Sequence, residues 1–269
     1  MPKRVVNGVE YNYEERGSGD EVIFFGHGLL YSWQSFSHQI AHFADQGYRC
    51  IAIDWRGQGE TQGGGAPEEY DMYRLGDDAY ALLRDLGVER CHWVGLSMGG
   101  MVAMRLYPRH PELFQSLVLL DTSASYDHEH LPMYTQMAET FRDYGAVPPL
   151  LEALDGVFYA PGFAARNPDA VEYWHNYWSN VDRQSLYQAV MPVIDRDDVS
   201  ETIGQIDVPT LIMIGDQDYS TPKRYSDDLH QRIAGSQLVV IPDAAHMSSV
   251  EQPEAVTQAM DAFYRSLRG

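Results

Sequence analysis

One serine in the chain is flanked by glycines in a pattern that could do chemistry, Gly95-Leu96-Ser97-Met98-Gly99. The spacing matches G-x-S-x-G, a sharp turn between a strand and a helix that exposes the serine hydroxyl. Glycine is needed on both sides because the turn brings backbone close to backbone. The first N–H groups of the helix then face the same point, where negative charge develops in acyl transfer. Ser97 is therefore the predicted nucleophile, although serine and glycine are also ordinary loop residues.

A serine hydroxyl becomes a good nucleophile only when a base takes its proton, and histidine is the usual base. Among the ten histidines, His246 lies in PDAAHMSSVEQP, between the last apolar run and the final helical pattern. That position is the carboxyl end of a predicted strand, as it is for Ser97, so His246 is the predicted base. His128 and His130 of DHEH are too few to form a metal site, and no metal is expected.

A third group must orient the histidine and stabilise its imidazolium. The segment MIGDQDYSTP supplies Asp216 and Asp218 after a predicted strand, and Asp121 ends the SLVLLD run. The order serine, aspartate, histidine along the chain is one of the known orders of such a triad. Asp218 is the preferred acid, followed by Asp121 and then Asp216.

Short apolar runs rich in β-branched residues alternate with helical patterns along the chain. Such runs are typical of strands buried on both faces, as in a parallel sheet. The repetition predicts an α/β fold with a mostly parallel twisted sheet and helices on both faces. The first twenty residues, with Asn7-Gly8 as a turn, predict a hairpin. The predicted strands are 21–26, 50–54, 116–120, 209–215 and 237–242, and the predicted helices are 70–86, 99–107, 223–233 and 253–267.

The interval 123–205 breaks this rhythm because it has no clear strand and is rich in aromatic and acidic residues. Structureless loops of that length are rare, so a helical cap is expected there, inserted into a core of residues 1–122 and 206–269. Within the cap, one face of a helix carries two tryptophans and a tyrosine at i, i+3 and i+4. That face could line a substrate pocket, or it could pack the cap on the core. The pocket residues predicted on the first interpretation are Leu30, Trp33, Trp174 and Trp178.

The composition restricts the classes of partner. The 269 residues carry a net charge of −20 at pH 7, with a pI near 4.7. This charge argues against nucleic acid and anionic membrane surfaces as partners. No long apolar run and no apolar signal segment is seen, and Cys50 and Cys91 are expected to be reduced core residues. These features predict a soluble, cytoplasmic protein that acts on a small molecule.

Four motifs together resemble the α/β-hydrolase superfamily over essentially the whole chain. They are GHGLLYSW (26–33), DWRGQGET (54–61), GLSMGG (95–100), and GDQDYSTP with DAAHMSSVEQP. The resemblance implies that Asp218 is the acid, that no cofactor is required, and that the backbone N–H groups of Leu29 and Met98 form an oxyanion hole. It also implies structural roles for His27 and Arg56, and a strand between those that carry the two cysteines.

The resemblance is greatest to the lid-bearing esterase, enol-lactonase and cofactor-free haloperoxidase group. Epoxide hydrolases and haloalkane dehalogenases carry an aspartate at the position of Ser97, which excludes them. Perhydrolases usually place an aromatic residue where this chain has Leu29, which argues against that activity. The expected function is hydrolysis of a small to medium, largely apolar carboxylic ester through an acyl-enzyme. The alternatives are hydrolysis of a lactone, enol-lactone or carbon–carbon bond by the same triad, or ligand binding with slow turnover.

Overall fold

The protein is described by a computed structural model that covers residues 2–61, 63, 69–126 and 128–268. These residues form eight strands and eleven α-helices. The strands are β1 (Lys3–Val6), β2 (Val9–Arg16), β3 (Val22–Gly26), β4 (Arg49–Ile53), β5 (Cys91–Leu96), β6 (Phe114–Leu120), β7 (Thr210–Gly215) and β8 (Gln237–Ile241). The helices are α1 (Ser37–Asp45), α2 (Met72–Asp85), α3 (Met98–Leu106), α4 (Leu131–Tyr144), α5 (Pro148–Phe158), α6 (Phe163–Arg166), α7 (Pro168–Asn180), α8 (Arg183–Ile194), α9 (Lys223–Arg232), α10 (Ser248–Glu251) and α11 (Pro253–Ser266).

The strands form one sheet in the order β1-β2-β4-β3-β5-β6-β7-β8. β1 and β2 are antiparallel and joined by the predicted hairpin, whose turn residues Asn7 and Gly8 have φ of 49° and 83°. β2 also pairs antiparallel with β4, and all the remaining pairs are parallel. The carboxyl ends of β3 to β8 therefore lie along one edge of the sheet.

Burial explains why the inner strands have no alternation of polar and apolar residues. Every residue of β3, β5 and β7 is buried, as expected for parallel strands covered on both faces. Cys50 and Cys91 are free and buried, and β3 lies between the strands that carry them. Both expectations about the cysteines are confirmed.

Helix α2 illustrates how sequence periodicity produces the helical layers. The Asp71 side chain caps its N-terminus by accepting from Arg74 N at 2.7 Å, which satisfies one of the N–H groups without an intrahelical acceptor. Its apolar residues recur at helical spacing, and the resulting buried face packs against α3. On the same principle, α1 packs against α11.

Five helices, α4 to α8, lie between β6 and β7, in the interval where a helical cap is predicted. Proline occupies the first turn of α4, α5 and α7, where its missing N–H has no intrahelical partner to lose. Helices α4 and α8 pack against each other. We call residues 131–194 the helical insertion; the division of the chain at 123 and 205 remains a prediction. None of the helices formed by the described residues has the length and apolar composition of a membrane span.

Candidate active site

Ser97 stands at the sharp turn between β5 and α3. Its backbone has φ of 48° and ψ of −112°, a conformation that is strained for a residue with a Cβ. Hydrogen bonds on both sides hold it: Ser97 N donates to Leu120 O at 2.8 Å, and Thr122 Oγ1 donates to Ser97 O at 2.7 Å. The turn is therefore fixed by β6, the strand beside β5.

The glycines on either side of this turn allow close backbone packing. A Cβ at Gly99 would lie 2.0 Å from Gly26 O, and a Cβ at Gly95 would lie 2.5 Å from the backbone of Gly99 and Gly100. Neither neighbour is a side chain that could move aside. The G-x-S-x-G pattern thus reflects a steric requirement of the turn where β5 meets α3.

His246 forms hydrogen bonds with both of the side chains that the sequence pairs with it. Its Nε2 is 2.9 Å from Ser97 Oγ, and its Nδ1 is 2.9 Å from Asp218 Oδ2. Because the carboxylate can only accept, Nδ1 carries the proton and Nε2 is free to accept from the serine hydroxyl. The three side chains are buried and converge from the ends of β5, β7 and β8.

Asp218 is held in the ionised form that this arrangement needs. Its Oδ1 accepts from Ser220 N at 2.8 Å and Thr221 N at 2.9 Å, and Thr221 Oγ1 donates to Oδ2 at 2.7 Å. Burial alone raises the pKa of Asp218, but the charge and hydrogen bond of His246, with the Thr221 donors, outweigh it and hold the pKa below its ordinary value. Burial likewise lowers the pKa of His246, but the Asp218 charge and hydrogen bond, with smaller contributions from Asp121 and Glu251, outweigh it, so that the pKa is raised.

The two alternative acids have other hydrogen-bond partners. Asp121 accepts from Gly215 N at 2.9 Å and from Ser248 Oγ at 2.6 Å. Burial, together with the nearby Asp218 carboxylate, raises the pKa of Asp121 to about 8. Asp216 is exposed, and its N–H donates to the backbone of β8. Of the three candidate acids, Asp218 is the one whose carboxylate is hydrogen-bonded to His246.

The loop after β3 lies against the serine turn. A Cβ at Gly28 would lie 2.5 Å from Leu96 Cδ2 and 3.5 Å from Ser97 Cβ. The loop is fixed further on by Leu30 N, which donates to Gln58 Oε1 at 2.7 Å. Across the turn, Met98 begins α3, so its N–H has no acceptor within the helix. That Leu29 and Met98 form an oxyanion hole remains a prediction that this placement allows.

His27 and Arg56 have the structural surroundings expected of them. Trp55 N donates to His27 Nε2 at 3.1 Å, so the His27 Nδ1–H donates to Gly28 O at 2.7 Å. Both ring nitrogens are occupied, and burial lowers the His27 pKa to about 3. Arg56 pairs with Glu69 and Asp78 at 2.7 and 2.9 Å. Neither side chain is directed to Ser97.

A cavity of about 340 Å³ opens at Ser97 and His246. Thirteen of its eighteen lining residues belong to the helical insertion, and the described lining contains no Arg, Lys, Asp or Glu. The insertion contributes Met133, Tyr134, Gln136, Met137, Thr140, Val147, Pro149, Leu150, Ala153, Leu154, Val157, Phe158 and Val193, and the rest of the chain contributes Leu29, Ser97, Met101, Ser220 and His246. The cavity is therefore mainly apolar.

The four residues predicted to line a pocket do not line this cavity. Trp178 Nε1 donates to Leu30 O at 2.5 Å. The ring of Tyr31 packs between Trp174 and Trp178, at centroid distances of 4.4 and 5.7 Å. Trp33 N donates to an Asp54 oxygen at 2.8 Å. The tryptophans of α7 thus pack the insertion on the rest of the protein, which was the alternative interpretation of that face.

Two residues near the site received no role from the sequence. Phe158, at the end of α5, stacks near the His246 ring, with centroids 6.2 Å apart and an interplanar angle of 16°. Glu251, within the MSSVEQP segment, is buried and accepts hydrogen bonds from the backbone of Ala160 and Ala245. The only signal for Glu251 was its position five residues after the histidine.

In the part of the chain that the structure describes, no three His, Cys, Asp or Glu side chains converge as metal ligands would. Asp127, the first residue of DHEH, lies outside the described residues. The His128 ring packs 4.5 Å from the ring of Tyr126.

Comparison with known proteins agrees with this architecture. Residues 21–253 match the sequence family described as the alpha/beta hydrolase fold. The chain is 29% identical to 3-oxoadipate enol-lactonase 2 of Acinetobacter baylyi, over 94% of this chain and 92% of that one.

Two solved structures superpose closely. An enol-lactonase from Burkholderia xenovorans LB400 has a TM-score of 0.90 and 25% identity, covering 98% of this chain and 100% of that one. A thermophilic esterase from Thermogutta terrifontis has a TM-score of 0.88 and 28% identity, covering 99% and 97%. The chain belongs to the alpha/beta hydrolase family.

Proposed function

We propose that this enzyme hydrolyses neutral, largely apolar carboxylic esters, with Ser97 as nucleophile, His246 as base and Asp218 as the acid that orients it. One observation carries the proposal. The continuous hydrogen-bonded series from Asp218 through His246 to Ser97 ends at an apolar cavity large enough for a small to medium acyl group. No other arrangement of nucleophile and base in the described residues opens on that cavity.

The reaction follows from the hydrogen bonds. His246 Nε2 takes the proton of Ser97 Oγ as the oxygen attacks the ester carbonyl, and Asp218 stabilises the imidazolium that forms. The backbone N–H groups of Leu29 and Met98 stabilise the oxyanion. His246 then returns the proton to the departing alkoxide, which leaves an acyl group on Ser97. Water, activated by the same nitrogen, releases the carboxylic acid and regenerates the serine.

The cavity wall supports the choice of a neutral substrate. A free carboxylate or phosphate on the substrate would enter a lining without a described Arg or Lys to pair with it, and burying an unpaired charge is strongly unfavourable. The apolar wall instead gains from burying hydrocarbon, at about 25 cal/mol per Å². An alkyl or aryl acyl group therefore fits better than an acidic one.

Lactones are a second candidate substrate class. The likeness to two enol-lactonases favours them, and a lactone carbonyl reacts through the same steps with its alcohol still tethered to the acyl group. A neutral lactone fits the cavity wall better than a lactone that keeps a free carboxylate.

The test is an assay of the purified protein on p-nitrophenyl esters of increasing acyl length, and on a neutral and a carboxylated lactone. Ser97→Ala is measured beside Ser236→Ala, a serine after α9 that is remote from the cavity. We expect activity on neutral substrates to be retained in Ser236→Ala and lost by several orders of magnitude in Ser97→Ala. Inertness of the wild type on every ester and lactone would overturn the proposal. Equal activity in Ser97→Ala and the wild type would remove Ser97 from it.

A further inference from the structure

Glu251 links two parts of the chain that meet at His246. Its Oε2 accepts from Ala160 N at 2.7 Å, and Ala160 follows the end of α5. Its Oε1 accepts from Ala245 N at 2.8 Å, and Ala245 immediately precedes His246. The residue is 7% exposed. A buried carboxylate normally needs a partner cation, yet here both oxygens are used on backbone N–H groups of two separate segments.

A second connection runs beside the first. Met247 N donates to Phe158 O at 3.1 Å, and the Phe158 ring stacks near the His246 ring while lining the cavity. The residues on both sides of His246 are therefore bonded to the C-terminal end of α5. The cavity wall at Phe158 and the loop that carries His246 are therefore joined directly.

The carboxylate of Glu251 also acts through its charge. Its charge acts on His246, whose pKa is lowered by burial and raised by Asp218, by Asp121 and, less strongly, by Glu251. Asp218, Tyr31 and Tyr159 also interact with the Glu251 carboxylate, and the pKa values of the two tyrosines are raised by burial and further by this carboxylate. Burial and, less strongly, the Asp218 carboxylate raise the pKa of Glu251 itself to about 7, although the backbone N–H donors around it favour its ionised form. The ionised form accepts on both oxygens, whereas the protonated form places an O–H donor beside one of these N–H groups.

We propose that Glu251 is a positioning residue that fixes the His246 loop and the end of α5 in one arrangement and stabilises the imidazolium by its charge. The proposal rests on the proposed function, in which His246 is the base. It adds that the helical insertion is coupled to the base through one buried carboxylate. The cavity wall at the end of α5 and the orientation of His246 are then set together, and protonation of Glu251 weakens both.

The test compares Glu251→Gln with Glu254→Gln. The two variants remove the same charge three residues apart, but the Glu254 side chain is 73% exposed. In Glu251→Gln, the new side-chain amide can accept from one N–H and cannot accept from the other. We expect kcat/KM on a neutral ester to fall by about tenfold or more in Glu251→Gln, mainly in kcat, since one of two buried donors loses its acceptor. Glu254→Gln should match the wild type.

The pH dependence separates a positioning role from a merely structural one. Removing a negative charge near the imidazolium lowers the pKa of His246, so the neutral base persists to lower pH. The acidic limb of kcat/KM should shift downward in Glu251→Gln and not in Glu254→Gln. Titration of His246 by NMR should show the same shift, and amide protons of residues 160 and 245 should exchange faster.

Glu251→Asp provides a second variant, which keeps the charge and shortens the side chain by one methylene. It should lose kcat with little change in the pKa of His246. If Glu251→Gln lowers only the melting temperature and leaves kcat, the pH limb and the His246 pKa unchanged, the residue is structural and the proposal is wrong. The NMR titration needs no turnover, so failure of the proposed ester hydrolysis is seen separately, as inactivity of the wild type.

Discussion

The ends of the strands and the helical insertion contribute to one site in different ways. Ser97, Asp218 and His246 follow β5, β7 and β8, and their positions are set by the register of a buried sheet and by backbone hydrogen bonds. The cavity that faces them is built mainly from one face each of α4 and α5, with Val193 of α8. The sheet register and these hydrogen bonds fix the three side chains at the strand ends. The cavity wall is fixed only through the sum of many apolar contacts between helices.

This difference separates chemistry from selectivity. The turn at Ser97 cannot accept a side chain in place of Gly95 or Gly99 without a backbone clash, whereas a helix of the insertion can exchange one apolar side chain for another and remain packed. We infer that the reacting groups are the fixed requirement of the architecture, and that the insertion is where the substrate is chosen. Glu251 is where the two regions join.

The largest expected effect tests the strand-end group. In Asp218→Asn, the side chain can place its NH2 group toward His246 Nδ1 and donate to it, so that His246 adopts the wrong tautomer. The imidazolium also loses its counter-charge. We expect kcat to fall by about 10³–10⁴-fold, as is typical when the orienting acid of a triad is removed. Steady-state kinetics on a p-nitrophenyl ester measure this, with circular dichroism as a check of folding. Activity within tenfold of the wild type would contradict the assignment.

The next effect tests the insertion. Leu154→Trp places a larger side chain into the cavity wall, so we expect kcat/KM for an octanoyl ester to fall by about 10–100-fold, the scale of a few methylenes in an apolar pocket. The acetyl ester should be affected by no more than about twofold. Trp174→Phe is the matched control, because Trp174 lies in the insertion but does not line the cavity. A shift of the chain-length optimum in the control and not in Leu154→Trp would reverse the assignment of the pocket.

Strand-end residues were predictable because each carries a local signal. The apolar runs predicted as strands agree with β3, β4, β6, β7 and β8 to within about two residues, which is the usual limit for element ends. Ser97 was marked by its glycines, and His246 and Asp218 by their positions after such runs. The choice of Asp218 over Asp121 came from order and resemblance, because both aspartates follow strands that end at the same edge.

The cavity was not predictable, for a physical reason. Leu154 and Phe158 show helical apolar spacing, which is the same whether the face they form meets a core or an empty space. The aromatic face of α7 was more conspicuous, but its tryptophans are occupied with Tyr31 and the Leu30 carbonyl. Glu251 was missed because glutamate is normally exposed, and its two side-chain partners are backbone N–H groups, one of them from a distant segment, that no sequence pattern identifies.

The packing role of α7 gives a smaller effect, on stability rather than turnover. Trp178→Phe removes the indole donor and leaves the Leu30 carbonyl buried without it. We expect the free energy of unfolding to fall by about 1–3 kcal/mol, measured by urea denaturation. Tyr173→Phe is the control on the same helix, where the side chain is 46% exposed, and should change stability by less than about 0.5 kcal/mol. Equal losses in the two variants would mean that the buried hydrogen bond contributes nothing.

The smallest effect on turnover is expected from Asp121, the second buried acid at the same edge of the sheet. Because its pKa is raised to about 8, the folded state holds a proton that the unfolded state releases near its ordinary value of about 4. The folded state therefore binds more protons between these values, and stability falls as pH rises from about 4 to 8. Asp121→Asn cannot ionise, so its free energy of unfolding should increase relative to that of the wild type as pH rises over that range. Its amide oxygen can still accept from Gly215 N, and kcat should stay within about tenfold of the wild type.

Urea unfolding of both proteins at a series of pH values measures the difference. A constant difference across the range would mean that Asp121 is ionised in the folded protein, and a loss of activity as large as that of Asp218→Asn would make the two acids one functional unit.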